Sequence, residues 1–206
     1  MILFEEKLPR VGGQIRLMHA IPDGPAVDVY ADGKLLYKNL TFADVTKYID
    51  VPAGTYKIQL YKAGNKNNLL ITEDYQVIPD SVSTIAVTYA NNEISFFALD
   101  DTHSTFRPKF ASVRFINLSP DSQLLSLRLP ENIVLFNEVE YLETNEGYPL
   151  AAGIYNFVVV NADDSFEKYI SNIYLKRDTN ITIYVVGLFK GRPKAGYILL
   201  KDAKRE

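Results

Sequence analysis

The feature that most constrains this chain is an internal repeat. Ile15-Arg16-Leu17-Met18-His19-Ala20-Ile21-Pro22-Asp23 lines up with Val113-Arg114-Phe115-Ile116-Asn117-Leu118-Ser119-Pro120-Asp121, with Asn117 98 residues after His19. Arg, Pro and Asp are identical and the apolar positions agree. Pro52-Ala53-Gly54-Thr55-Tyr56-Lys57-Ile58 then matches Ala151-Ala152-Gly153-Ile154-Tyr155-Asn156-Phe157. Asp80 to Ile85 matches Asp178 to Ile183. Three matches in order at nearly constant spacing mark two copies of one structural unit. A chain of 206 residues accommodates two such domains.

Within each copy the hydrophobic period is two, as for strands with one buried face. Ile15, Leu17 and His19 alternate with Arg16, Met18 and Ala20; Val27 and Val29 alternate with Asp28 and Tyr30. Asp32-Gly33 and Asn91-Asn92 supply the positive φ angles of tight hairpins. Turn residues recur every 8–12 residues or so, and only 41–46 and 138–146 could form a turn or two of helix. The predicted fold is all-β: two tandem immunoglobulin-like or transthyretin-like β-sandwich domains. Residues 1–13 form an N-terminal segment, 14–101 the first sandwich, 102–109 a polar linker ending in Pro108, and 110–206 a second, divergent sandwich. So short a linker implies packing between the domains.

Gly54 and Gly153 open a strand in each copy, and Tyr56 and Tyr155 share parity with inward Ile58, Leu60, Phe157 and Val159. A tyrosine so placed needs a hydroxyl partner, and a bond back across the turn would form a tyrosine corner.

The segment from His19 to Tyr30, with Asp32-Gly33 and Val51-Pro52-Ala53-Gly54-Thr55-Tyr56, resembles an uncharacterised bacterial and archaeal domain family. Its hallmark is His-Ala-Ser-Pro-Asp-x-Pro-x-Val-Asp-Val-Tyr; Ile21 stands here in place of Ser. The resemblance is close over residues 14–99 and weak in the second copy. It implies a domain of unknown function, often in tandem and in cell-envelope proteins.

The candidate ligand-binding residues are His19, Asp23, Asp28 and Tyr30. A His with two carboxylates could hold a metal or a glycan. Alternatively, the His19 ring ties down the loop that follows, as Asn117 would in the second copy. Asp28 shares outward parity with Arg16, which favours an ion pair between them. Asp23 and Asp121 follow proline, as turn residues do. His103, the other histidine, falls in the linker. No catalytic residues, metal site or cofactor are expected, because motifs for nucleophilic, phosphate-binding and zinc chemistry are missing.

A net charge of -3 with scattered basic residues argues against nucleic acid as a partner. The chain lacks Cys, a membrane-length apolar run and a secretory signal. The expected setting is therefore cytoplasmic, or a surface or spore layer reached without standard export, with no membrane insertion and oligomeric state left open. Abundant tyrosine (14 residues, including Tyr30, Tyr37 and Tyr61) suits a protein or polysaccharide partner. Ile154, Val158 and Val160 make one strand of the second copy apolar on both faces, so a cover from the first domain or another chain is expected. A non-enzymatic structural or protein-interaction module leads, ahead of a carbohydrate or envelope-polymer binding module and an enzyme with an unrecognised site.

Overall fold

The computed structural model describes residues 11–102 and 109–202; residues 1–10, most of the 102–109 linker with His103, and the last four residues lie outside the described residues. Sixteen strands form four four-stranded sheets, with no helix among the described residues. The first half holds β1 (Gly12–His19), β2 (Val27–Ala31), β3 (Lys34–Leu40), β4 (Ile49–Pro52), β5 (Gly54–Lys62), β6 (Leu69–Val77), β7 (Val82–Ala90) and β8 (Glu93–Asp100). The second half holds β9 (Ala111–Asn117), β10 (Leu125–Arg128), β11 (Val134–Val139), β12 (Tyr148–Leu150), β13 (Gly153–Asn161), β14 (Glu167–Leu175), β15 (Asn180–Val186) and β16 (Gly196–Lys201).

Sheet orders are β4-β1-β7-β8 and β3-β2-β5-β6 in the first half, and β12-β9-β15-β16 and β11-β10-β13-β14 in the second. The two halves are thus built on one plan. In each, the first strand pairs parallel with the seventh, Ile15 opposite Ser83 and Val113 opposite Ile181. The tight hairpins fall at Asp32-Gly33 and Asn91-Asn92, all four residues at positive φ. The 41–46 segment is a turn: the Asp44 carboxylate accepts from the Thr41 backbone N–H at 2.8 Å and its hydroxyl at 2.6 Å. This local bonding competes with helix formation. Glu143 closes the same turn on the Glu140 N–H at 2.8 Å.

Alternation fills one core inside each sandwich. Ile15, Leu17, Val29, Leu60 and Ile85 meet in the first, and Val113, Phe115, Leu127, Phe157 and Ile183 in the second. The opposite faces of β1 and β9 are equally buried, because Met18, Ala20, Ala86 and Leu99 pack against Ile116, Leu118, Tyr184 and Val186. The molecule is therefore a four-layer stack of sheets with three cores, and β1 and β9 lie in its middle layers. Burial on both faces explains why Arg16 and Arg114, outward by parity, are hardly exposed at all (3 % and 7 %).

Candidate functional site

The structure gives three of the four predicted ligand-binding residues, His19, Asp28 and Tyr30, separate partners and leaves Asp23 exposed. His19 is fully buried, and its Nε2 lies 3.0 Å from the carbonyl of Pro25, which it reaches as a donor. Burial lowers the imidazole pKa below its ordinary value, outweighing that hydrogen bond and the Asp44 charge, and so favours the neutral ring. Its Nδ1 is buried without a hydrogen-bond partner. Asn117 holds the matching place: it donates to the Ser122 hydroxyl at 2.8 Å and accepts from the Ser119 N–H at 3.1 Å.

Asp28 does not pair with Arg16. Parity put both on outward faces, but the faces belong to different sheets. The Asp28 carboxylate instead accepts the backbone N–H of Asn39 at 2.8 Å and of Gly64 at 2.9 Å. Ser126 serves the second sandwich similarly, accepting from Glu138 at 2.9 Å. Asp23 is exposed at positive φ, whereas Asp121 accepts from the N–H groups of Phe189 and Lys190 at 2.8 and 2.9 Å. Tyr30 meets Tyr61 edge-on at 83°, with the Lys66 ammonium 4.4 Å from the Tyr30 ring centre. Those rings form no flat platform. Among the described residues no cluster of three or more metal-ligating groups occurs.

Each tyrosine following the strand-opening glycines bonds back across its turn. The Tyr56 hydroxyl donates to the Pro52 carbonyl at 2.9 Å and that of Tyr155 to Ala151 at 3.0 Å.

The densest chemistry lies between the sandwiches. Arg16 Nη2 reaches Asp202 at 2.9 Å, while its Nη1 donates to the Lys201 carbonyl at 3.3 Å. Arg114 mirrors it, donating Nη2 to Asp101 and Nη1 to the Asp100 carbonyl at 2.8 Å. A threonine completes each corner. Thr84 Oγ1 accepts from Arg16 Nε at 2.6 Å and donates to Asp101 at 2.5 Å; Thr182 accepts from Arg114 at 3.1 Å and donates to Asp202 at 2.7 Å. Arg16 and Arg114 thus each use their own sandwich's threonine and make their shortest carboxylate contact with the other sandwich.

Two cations and two anions buried together are tolerable only because the charges match and each is hydrogen-bonded. Burial opposes the guanidinium charge of Arg114, but Asp101, Tyr184 and Asp202 more than offset it and hold its pKa above the ordinary arginine value. Burial pushes the Asp202 carboxyl up, against the pull of Arg114 and Thr182. The sequence reading missed this cluster. Its available signal was an identical arginine in the first strand of both copies and an identical threonine at 84 and 182.

Above Arg16 lies the ring of Tyr48, its centre 4.6 Å from the guanidinium carbon and its hydroxyl donating to Asp101 at 2.8 Å. Arg114 also borders a cleft of about 410 Å³, with Leu99, Ser112, Asn145, Gly147 and Asp202. An apolar recess of about 250 Å³ opens elsewhere, between the edge strands β3 and β4 and bordered by Leu36, Ile49, Val51, Tyr56 and Tyr75.

Fold and cluster together define a class: an all-β double sandwich whose halves are latched by a buried, two-fold charge network. The chain belongs to the family described as "Domain of unknown function (DUF4397)", which matches residues 13–128, from β1 to the end of β10. No curated protein matches it. Among solved structures, one described as "a putative adhesin from Bacteroides ovatus" aligns over 98% of both chains at 11% identity and a TM-score of 0.21, a likeness too slight to carry any argument. No helix among the described residues is long and apolar enough to cross a membrane.

Proposed function

We propose that the chain is a non-enzymatic structural or protein-interaction module, built as two copies of one sandwich unit and working at a cell-envelope or spore layer. The observation that carries this reading is the outer sheet of the second sandwich. Ile154 on β13 stands directly opposite Tyr174 on β14, and Val158 opposite Tyr169. Ile154, Tyr174 and Tyr169 are 70 %, 63 % and 55 % exposed, while Val158 and Val160 beneath them are buried. The first sandwich packs on the far side of this half and leaves that sheet face open. Exposed tyrosine beside aliphatic side chains is the composition of a protein interface core. The envelope setting is supported by the family resemblance.

The test is a combined Ile154→Ser, Tyr169→Ser and Tyr174→Ser variant of the full chain. It is expected to keep the wild-type melting temperature and to leave the envelope or spore fraction in which the wild type is retained. Wild-type protein recovered free in the soluble fraction at every growth phase overturns the reading.

A polysaccharide or envelope polymer is the second reading, favoured by the same exposed tyrosine rings. Retention of the wild type on purified envelope polysaccharide, lost in the triple variant, would select it.

A further inference from the structure

We propose that the loop between β15 and β16 binds a slender phosphate polymer through Lys190, Arg192 and Lys194. The two sandwiches differ at this hairpin. In the first, Asn91-Asn92 joins β7 to β8 as a tight turn; in the second, residues 187–195 join β15 to β16. An insertion in one copy of a repeated unit is where a binding loop can be added without disturbing the scaffold. The added loop is pinned in place. Gly187 has a φ of 92°, and a Cβ there would meet the Lys194 carbonyl oxygen at 2.6 Å. The Leu188 N–H donates to the Pro193 carbonyl at 2.9 Å, and the Ala195 N–H to the Leu188 carbonyl at 2.8 Å. Ser119 donates its hydroxyl to the Gly187 carbonyl at 2.7 Å, and Asp121 accepts from the N–H groups of Phe189 and Lys190. The Phe189 ring packs against Phe166 with centres 4.5 Å apart.

The charge on this loop is uncompensated. Residues 187–195 include no acid, and Lys190, Arg192 and Lys194 stand at alternate positions with exposed side chains. None of the three forms an ion pair with a carboxylate among the described residues. The acids nearby have other partners. Asp121 holds the two loop N–H groups; in the turn that carries Phe166, Asp163 accepts from the Ser165 N–H at 3.0 Å and Asp164 pairs with Arg128 at 3.2 Å. A guanidinium fork between two ammonium groups suits phosphate oxygens. The chain carries a net charge of -3, so with three cations gathered here the rest is more acidic still. A broad anionic surface such as a membrane would meet that acidic remainder, whereas a single polymer strand touches the loop alone. The loop does not include Ile154, Tyr169 or Tyr174, so the two surfaces stand or fall separately.

The experiment titrates the full-length wild-type protein with long-chain polyphosphate and follows backbone amides by NMR. Saturable shifts centred on residues 187–195 are expected. The logarithm of the binding constant should fall with the logarithm of salt concentration at a slope of about 2, roughly 0.7 for each of three phosphate contacts on a single-stranded polyanion. A combined Lys190→Gln, Arg192→Gln and Lys194→Gln variant should keep the wild-type melting temperature and bind at least about tenfold more weakly. The Ile154→Ser, Tyr169→Ser and Tyr174→Ser variant should bind polyphosphate like the wild type, which keeps this result independent of the exposed β13 and β14 face. Tighter binding to phosphatidylglycerol vesicles than to polyphosphate overturns the proposal in favour of a lipid surface. Equal affinity for polygalacturonate, a carboxylate polymer, overturns the assignment to phosphate. No saturable binding to the wild type, shifts located elsewhere, or a salt slope near zero also overturns it.

Discussion

Arg16 and Asp202 meet at 2.9 Å although 186 residues separate them, and the contact joins the first strand of one sandwich to the end of the other. Both side chains are almost completely buried, at 4% and 2% exposure. Breaking a buried pair from one side leaves the other charge stranded, which costs more than losing an attraction.

Asp202→Ala should therefore destabilise the chain by about 3–5 kcal/mol, measured by urea denaturation. Replacing both partners, Arg16→Met with Asp202→Leu, should cost less than the two single changes added together. Simple additivity would show that the pair does not act as a unit.

Asp28→Ala removes the acceptor of two backbone N–H groups, those of Asn39 and Gly64. A loss of about 2–3 kcal/mol is expected, with Asp28→Asn milder because it retains an acceptor oxygen. Equal stability of Asp28→Ala and wild type would mean that solvent replaces both bonds.

Tyr56→Phe and Tyr155→Phe each delete a hydroxyl bond to the carbonyl four residues back. About 1 kcal/mol is expected for each, and the two losses should add because the sites lie in different sandwiches. A chemical-denaturation series of the two single variants and the double variant checks both statements.

His19 makes stability depend on pH. Its folded pKa is lowered from 6.5 by burial, so the unfolded chain takes up a proton on this ring at higher pH than the folded chain does. The contribution is complete above about pH 6.5 and is lost as the pH falls from there towards the lower folded value. The unfolding free energy from urea titrations should drop through that window with a limiting slope of about 1.4 kcal/mol per pH unit for one proton. His19→Asn, which installs the second sandwich's residue, should flatten the profile in that window. An unchanged profile would assign the dependence to other groups.

Local geometry was the legible part of the sequence. Asp32-Gly33 and Asn91-Asn92 announce their hairpins because few residues accept positive φ, and both turns are formed. Period-two alternation likewise identifies the inward residues of each sandwich. Arg16 was illegible for the opposite reason: parity says only which way it points, and its partners come from the far end of the chain. The predicted Arg16–Asp28 pair failed because alternation carries no information about which sheet a strand joins. Thr41 to Thr46 looked compatible with a helical turn until Asp44 took the Thr41 donors.

The crossed latch also bears on how the chain is made. Synthesis runs from β1 to β16, so the first sandwich emerges while Asp202 and the second half's share of the middle core do not yet exist. Until they do, Met18, Ala86 and Leu99 lack Ile116, Leu118, Tyr184 and Val186 and keep only first-half neighbours such as Phe42, Val45 and Phe97, and Arg16 can draw only on Asp101, at 3.6 Å, as a carboxylate partner. A nascent chain halted after β8 would thus carry a sticky face with a charge set in it, a natural target for a ribosome-associated holdase.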